Sequence, residues 1–388
     1  MPWKCQSVMD NRIEFVHLAL TGEVSVSELC RRFGVSRQTG HACLRRYHEG
    51  GFGALAPRSS RPHSSPRRSS ASAEEAVVQL RTAHPAWGGR KLARRLRDLG
   101  TAAVPAPSTV TAILRRHDLL GKGDAEAPPA TGRFERAAPN ELWQMDFKGH
   151  FATDSGRCHP LTVLDDHCRY ALGLRACGDE TAVTVRGHLT DLFRHYGLPW
   201  AMLADNGSPW GDGTGTHSAL EVWLMRLGVK MLHGRPYHPQ TQGKDERFHR
   251  TLNVELLQAR RFADLADCQS RFETWRRIYN QQRPHEALNL DTPASRYRPS
   301  PVSFPETLPE PQYDAADHIR RVRPDGYIQF KGCSFKLSQA FTGQHVALRQ
   351  TQTDGLWSVH FMRFHIANLD LITKAKSKPT VSQVSEHV

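Results

Sequence analysis

The chain has 388 residues, 39% of them hydrophobic, and a formal net charge of +13 at pH 7. This length exceeds one average domain and predicts two to four domains with ordinary cores. No uninterrupted apolar run approaches the roughly 20 residues of a membrane helix, and MPWKCQSVMD lacks the pattern of a secretory signal. We therefore expect a soluble protein inside the cell with no membrane partner.

The charge and the cysteines narrow the chemistry. A pI near 9.6 predicts a polyanionic partner, because cations that neutralise phosphates gain free energy from counterion release. An unspecialised basic enzyme is the alternative. The 8 cysteines show no CxxC pair and no zinc-finger spacing, so we expect reduced structural thiols and no zinc.

The first segment, residues 1–56, has the outline of a helix-turn-helix DNA-binding domain. In SVSELCRRFGVSRQTGHACLRRY, Ser27 can cap one helix, Gly34 permits a tight turn and Ser36 can cap a second helix. A short helical hairpin can imitate this pattern. Since the second helix of such a unit enters the major groove, we predict DNA contacts from Arg37, Gln38, His41 and Arg45.

A basic linker and a second helix-turn-helix domain are predicted next. Residues 57–72 are rich in Pro, Ser and Arg, and they form either a basic strap along phosphates or a solvated tether. Residues 73–122 repeat the helical pattern. Ser108 can cap a helix that turns Arg115 and Arg116 outward, where they are candidate DNA contacts.

A second linker, 123–138, precedes a segment with a different period. Over residues 139–300 the pattern predicts three strands, then helix, strand, helix, strand and helix. This order predicts an α/β core in which a central mixed sheet is flanked by helices.

The last part of the chain alternates in short runs. Over residues 315–372, these runs are separated by Pro-Asp-Gly, Lys-Gly, Thr-Gly and Asp-Gly turns, which predicts a small antiparallel β-barrel. DNA contact, dimerisation and packing remain open as its role. Residues 373–388 are predicted to be a polar tail.

Three acids lie at the ends of predicted core elements. Alternation along WQMDFKGH places Asp146 on the opposite strand face from Trp143, Asp205 ends the apolar strand AMLAD, and Glu246 falls early in a helix. Such carboxylates can hold two divalent cations, which prefer oxygen ligands. With 39 Asp and Glu residues in the chain, spacing alone does not select this triple.

The surrounding motifs do select it. WQMDF, LADNGSPW and RPYHPQTQGKDERFHRTL, followed by YNQQRPHEAL, resemble bacterial insertion-sequence DDE transposases whose core is similar to retroviral integrase. The resemblance implies an RNase H-like core. It also implies catalytic and metal-binding roles for Asp146, Asp205 and Glu246, with two Mg²⁺ or Mn²⁺ ions. The family motif Gln-Gly-x-x-Glu selects Glu246 over the adjacent Asp245.

The resemblance also implies partners and a location. These are double-stranded DNA, as element ends and as target, and a homodimer or higher oligomer in the bacterial cytoplasm at the nucleoid. Lys244, Arg247 and Arg250 surround the third acid and can neutralise phosphate, although solvated helix charges would look the same. Asp165 and Asp166 could reach the active site, but a turn or hydrogen-bonding role is the better interpretation. For YNQQRPHEAL, a structural clamp is a better interpretation than a direct role in catalysis.

Together these patterns predict a multidomain protein. All-α helix-turn-helix units precede an RNase H-like α/β core and a small β-barrel. The function predicted is DNA cleavage and strand transfer by a transposase. A DNA-binding transcriptional regulator with an inactive core is the alternative, and a nuclease that does not join strands or a recombinase with a Ser or Tyr nucleophile fits less well.

Overall fold

The structure is a computed structural model, and the chain divides into two compact units, Met1–Arg68 and Ser69–Val388. Within the described residues, no helix is long and apolar enough to cross a membrane. Most of both predicted linkers falls outside these residues. The structure describes residues 7–57, 68–120, 135–211, 217–234, 243–258, 260–371 and, for the backbone, 381–383.

The first unit is a bundle of three helices, as predicted. Its helices are α1 (Val8–Thr21), α2 (Val26–Arg32) and α3 (Arg37–Gly50), followed by a 3₁₀ turn at Phe52–Leu55. Gly34 has a left-handed φ of 65°, which the tight turn between α2 and α3 requires. The bundle closes over a small core made of Phe15, Val16, Leu29, Cys30 and Leu55.

One predicted cap is wrong and one is confirmed. Ser25, not Ser27, caps α2, because its side chain accepts a hydrogen bond from the Glu28 backbone N–H while Ser27 already lies inside the helix. Ser36 caps α3 through the Thr39 backbone N–H, as predicted. Ser25 and Ser27 are separated by a single residue, and a serine at either position would fit the sequence pattern of a helix cap. The sequence alone therefore cannot choose between them.

The second unit begins with three more helices, α4 (Ala71–Ala83), α5 (Gly89–Asp98) and α6 (Pro107–Arg116). Their core is apolar, and Ile278 from a later helix of the same unit packs against it. The expected cap by Ser108 is wrong: α6 starts at Pro107, whose fixed φ suits the first helical position, and no side chain caps it.

A mixed six-stranded sheet forms the centre of this unit. The strands are β1 (Leu142–Phe147), β2 (Phe151–Thr153), β3 (Gly156–Asp165), β4 (Ala171–Cys177), β5 (Ala201–Ala204) and β6 (Lys230–His233). Antiparallel pairs join β4 to β3 and β3 to β1, whereas parallel pairs join β1 to β5 and β5 to β6; the short β2 pairs with the start of β3. The predicted order of strands and helices is confirmed with one difference: four strands, not three, precede the first helix, because the chain turns at Gly149 and the first predicted strand divides into β1 and β2.

Helices cover both faces of the sheet. Trp143 and Met145 on β1 pack with α7 and α8 in one core, as their alternation predicts. Phe248 and Leu252 of α9 pack with α10 in a second core on the other face. The helices are α7 (Ala182–Tyr196), α8 (Ala219–Arg226), α9 (Gly243–Leu252) with a π-helical turn at Asn253–Leu257, α10 (Leu265–Gln281) and α11 (Pro293–Arg296).

The C-terminal strands are antiparallel, as predicted, and form a five-stranded sheet and a separate hairpin around one core. Val222 and Met225 of α8 belong to this same core. Within the segment predicted as a tail, Val381–Gln383 pairs with the sheet. The strands are β7 (His318–Arg321), β8 (Tyr327–Phe330), β9 (Cys333–Lys336), β10 (His345–Gln350), β11 (Leu356–Phe361), β12 (Phe364–Asp370) and β13 (Val381–Gln383).

Candidate active site

The first acid of the predicted triad, Asp146, lies near the end of β1, opposite Thr162 of β3. The Thr162 hydroxyl donates a hydrogen bond to the Asp146 backbone oxygen over 2.9 Å, which fixes the strand where the acid projects. Burial and then the nearby charge of Asp205 raise the pKa of Asp146 to about 7. Asp146 is therefore a carboxyl group that lacks a compensating positive charge.

Asp205 follows β5, the parallel neighbour of β1. Because parallel strands end at the same edge of a sheet, the two acids are neighbours, and their mutual repulsion contributes to the raised pKa of Asp146. The Gly207 backbone N–H donates to Asp205 Oδ1 over 3.0 Å. His233 Nδ1 lies 2.9 Å from the Asp205 carbonyl oxygen, so this nitrogen carries the proton.

The third acid, Glu246, lies in the first turn of α9 and is exposed to solvent. Phe248, Leu252 and Leu256 are buried, as their spacing predicts, and Glu246 and Arg250 share the outer face. The structure thus brings Asp146 and Asp205 together but leaves Glu246 turned outward. Within the described part of the chain, no three His, Cys, Asp or Glu side chains are arranged to hold a metal ion.

Asp245, the residue before Glu246, points inward instead. Its side chain is only 2% exposed, and its Oδ1 atom is buried without a hydrogen-bond partner. Burial raises the pKa of Asp245 well above its ordinary value, and the charges of Asp146 and Asp166 add to this effect. Periodicity contains the signal for this placement, because Asp245 lies three residues before the inward-facing Phe248.

His249 completes the inner face of α9 at this point. Its Nδ1 atom lies 3.9 Å from Asp146 Oδ2, and its Nε2 atom lies 2.9 Å from the Thr162 hydroxyl. Burial lowers the pKa of His249 to about 4, so the ring is neutral near pH 7. The side chain therefore lies beside Asp146 without compensating its charge.

Asp165 and Asp166 have hydrogen-bonding roles, as the better interpretation predicted. Asp165 accepts bonds from the backbone N–H groups of Asn140, His167 and Cys168. Asp166 accepts from Gln144 Nε2 over 2.7 Å and from the Arg136 backbone N–H, and it pairs with Lys244. Both carboxylates are buried at the end of β3, where they hold the chain that leads into β1.

The YNQQRPHEAL segment is a clamp in the structure. The Asn280 side chain bonds both backbone groups of Ala171 on β4, at 2.9 and 3.0 Å. Arg283 Nε donates to Glu255 Oε1 over 2.8 Å, and Trp275 Nε1 donates to the other oxygen of the same carboxylate. These contacts attach the end of α10 to the sheet and to the turn after α9.

The predicted DNA-contacting side chains fall into two groups. Lys244 is partly buried against Asp166, and Arg116 bonds the buried Glu74 over 2.5 Å, so both cations have internal partners. The remaining residues are exposed; those on α3 at positions 37, 41 and 45 share one helix face. The exposed group comprises Arg37, Gln38, His41, Arg45, Arg115, Arg247 and Arg250.

The chemistry of these donors suits a divalent cation, although no three of the described side chains already converge on one point. Asp146 and Asp205 are neighbouring carboxyl groups that repel each other, and the unpartnered buried oxygen of Asp245 is near enough to Asp146 for the Asp146 charge to raise the pKa of Asp245. Carboxylate oxygens are the ligands preferred by Mg²⁺ and Mn²⁺. A cation would relieve both the repulsion and the unpaired oxygen.

Comparison with protein families agrees with this arrangement. Two integrase core domain models match residues 136–239 and 227–293. A homeodomain-like model matches residues 39–114 and a helix-turn-helix model matches residues 11–63. The model described as the IS481 family transposase C-terminal domain matches residues 317–377.

Individual relatives come from mobile elements. An uncharacterised 31.7 kDa protein of insertion element IS407 from Burkholderia multivorans is 27% identical over 298 residues, covering 75% of this chain and 99% of the relative. A 39.2 kDa protein of insertion element IS476 from Xanthomonas euvesicatoria is 26% identical over 224 residues, covering 56% of this chain and 62% of the relative.

Among solved structures, a simian T-cell lymphotropic virus intasome in complex with the PP2A regulatory subunit B56 gamma aligns with 80% of this chain and 99% of its own. The TM-score is 0.36 at 15% identity.

The mixed sheet with acids on its edge lies in the part of the chain that matches an integrase core domain, and helix-turn-helix domain matches precede it. More particularly, the chain carries the domains of an insertion-sequence transposase, with a C-terminal domain of the IS481 family. The resemblance stated from its motifs is thereby confirmed.

Proposed function

We propose that this chain is a catalytically active DDE transposase that binds the ends of its own element and transfers them to target DNA. The observation that carries the proposal is the pair Asp146 and Asp205 at the ends of adjacent parallel strands, where burial and the charge of Asp205 raise the pKa of Asp146. A domain that only regulates transcription has no need of such a costly arrangement.

In the proposed reaction, two in-line displacements occur at phosphorus. Water first attacks the phosphodiester at the 3′ end of the element and releases a 3′-hydroxyl. That hydroxyl then attacks a target phosphodiester and displaces its 3′ oxygen. The protein forms no covalent bond to DNA in either displacement.

The metal ligands would be Asp146, Asp205 and Glu246, joined by rotation of the exposed Glu246 side chain. When bound, two Mg²⁺ or Mn²⁺ ions would supply activation of the attacking oxygen and stabilisation of the leaving oxygen. Thr162 and the Gly207 N–H hold the first two acids in place. The exposed Arg247 and Arg250 would neutralise substrate phosphates.

We also propose how the rest of the chain serves this reaction. Residues 1–56 and 73–122 would bind the element ends, through Arg37, Gln38, His41, Arg45 and Arg115. Residues 139–300 would form the catalytic domain and 315–372 the C-terminal domain. The active form would be a dimer or larger assembly on DNA at the nucleoid, because two element ends must be joined to one target.

The test is cleavage and joining of a labelled duplex that carries the element end, in the presence of Mg²⁺ or Mn²⁺. We expect Glu246→Gln to lower joining by on the order of 10²–10³-fold while end binding stays unchanged. Glu75→Gln on the exposed face of α4 is the matched control and should retain activity. Tight end binding without chemistry in the wild type would instead favour the transcriptional regulator.

A further inference from the structure

Asp245 differs from Asp165 and Asp166, two other buried acids of the described core, in how its oxygens are satisfied. Asp165 and Asp166 are equally buried, but backbone N–H groups and side-chain donors surround them. Asp245 Oδ1 is buried and has no donor. A buried carboxylate oxygen without a partner is costly, and in a native fold it calls for an ion, a water or a proton.

The position of Asp245 indicates which of these occupants fits. On a helix, residues four apart lie on one face, and His249, four residues after Asp245, is 3.9 Å from the Asp146 carboxylate. Asp245 is therefore on the α9 face that packs against β1. The Lys244 ammonium pairs with Asp166, and its charge only partly offsets the effect of burial and of the neighbouring acids, which together raise the pKa of Asp245.

The two consecutive acids of α9, Asp245 and Glu246, point in different directions. Successive helical residues point about 100° apart, so Asp245 faces β1 while Glu246 lies at the solvent side of the same turn. Both lie in the first turn of α9, where the helix dipole favours negative charge. A cation beside Asp146 can therefore be approached by one carboxylate from within and another from outside.

Building on the proposed function, we propose that Asp245 is a further ligand of the divalent cation bound at Asp146, in addition to Glu246. The unpartnered oxygen would complete the inner side of the coordination sphere. A sequence motif that assigns one acid to α9 overlooks this oxygen, because only the packed structure shows which side of the helix faces β1.

The proposal is tested by metal binding, without any need for catalysis. The full chain is titrated with Mn²⁺, and free Mn²⁺ is measured by its electron paramagnetic resonance signal, for wild type, Asp245→Asn, Asp245→Ser and Glu246→Gln. We expect each of these variants to weaken Mn²⁺ binding by on the order of tenfold or more. Asp191→Asn, an exposed acid on α7, is the control and should bind as wild type does.

A second readout separates ligation from a structural role. If Asp245 ligates the cation, its neutral variants should unfold without metal at the same or a higher temperature than wild type, since they remove a carboxyl oxygen that is buried without a partner. They should also gain less stability from added Mn²⁺. An Mn²⁺ affinity within twofold of wild type in either folded variant would overturn the proposal, and would mean that Asp245 simply holds a proton.

Failure of this proposal differs from failure of the proposed function. Metal-dependent joining by the wild type, with unchanged Mn²⁺ affinity in both Asp245 variants, would leave the transposase function intact and remove Asp245 as a ligand. Mn²⁺ binding that depends on Asp245, with no joining by the wild type, would keep the ligand and reject the function.

Discussion

At the scale of single residues, the ionisable side chain of His217 connects the α/β core to the C-terminal strands. His217 Nδ1 lies 2.8 Å from Glu221 Oε1 at the start of α8, and Nε2 faces the Ile366 carbonyl of β12. The Ser338 hydroxyl donates to the His217 carbonyl oxygen over 3.0 Å. The imidazole therefore contacts elements from both sides of this junction.

This contact predicts a pH-dependent stability. Burial opposes the charged ring, but the hydrogen bond and charge of Glu221 outweigh it and raise the pKa of His217. The folded protein then binds this proton more tightly than the unfolded chain does. The pair stabilises the fold fully below the unfolded pKa of about 6.5, and this stabilisation is lost as the pH rises through the folded value.

We expect His217→Gln to lower the free energy of unfolding by about 3 kcal/mol at pH 6, since Glu221 would remain buried without its partner. The loss should shrink towards pH 8.5. Urea unfolding of wild type and variant between pH 5.5 and 8.5 measures the difference, which cancels the titration of groups common to both. A loss that stays constant with pH would show that the ring is uncharged throughout.

At the scale of elements, Gly40 fixes how closely α3 can approach its neighbours. A Cβ atom at this position would lie 2.4 Å from Cys30 Sγ and 2.9 Å from Phe15 Cζ. Gly187 in α7 is the opposite case, because nothing lies within 4 Å of its would-be Cβ. Alanine at Gly187 would change only helix propensity, whereas alanine at Gly40 would also change the packing between helices.

The same substitution should have opposite effects at these two sites. Gly40→Ala should destabilise the first unit by about 1–2 kcal/mol, because overpacking costs more than the helix propensity gained. Gly187→Ala should stabilise the second unit by about 0.5–1 kcal/mol. Amide hydrogen exchange of α1 and of α7 in the full chain measures each effect; protection of α1 that rises in Gly40→Ala would contradict the packing argument.

The elements also show how far the sequence predicts this protein. Alternation and turn signals give the order of strands in the core, and strong motifs identify Asp146 and Asp205, because these signals are local. The caps at Ser27 and Ser108 are wrong, since a shift of one or two residues leaves the local pattern intact. The position of Asp245 near Asp146, unlike its inward direction, depends on how α9 packs against β1, which is a long-range contact.

At the scale of the whole molecule, the basic helix α5 packs against the α/β core and makes polar contacts with it. Arg94 pairs with Asp291 over 3.2 Å, and Arg95 donates to Gln282 over 3.3 Å. Burial, and then the charge of Arg283, lower the pKa of Lys91 to about 8. Arg94 and Arg95, basic residues of a helix in the second helical domain, therefore attach this domain to the core.

Removing this attachment should loosen the contact without unfolding either part. These two partly buried contacts are worth about 0.5 kcal/mol each, so the double variant Arg94→Ala, Arg95→Ala should raise amide exchange in the Glu286–Leu288 turn by about fivefold. Arg97→Ala, which changes an exposed arginine on the same helix, is the control. Equal exchange in both variants would show that apolar packing alone holds α5 in place.

The attachment of α5 to the core affects how far apart two binding positions on DNA must be. Because α6 and Asp146 belong to one compact unit, under the proposed function the base pairs that α6 would bind would lie a fixed number of steps from the bond to be cut. B-DNA turns once in about 10.5 base pairs. Five extra base pairs between the two sites would turn the scissile phosphate to the far side of the duplex, whereas a full extra turn would restore its direction but displace it by about 34 Å.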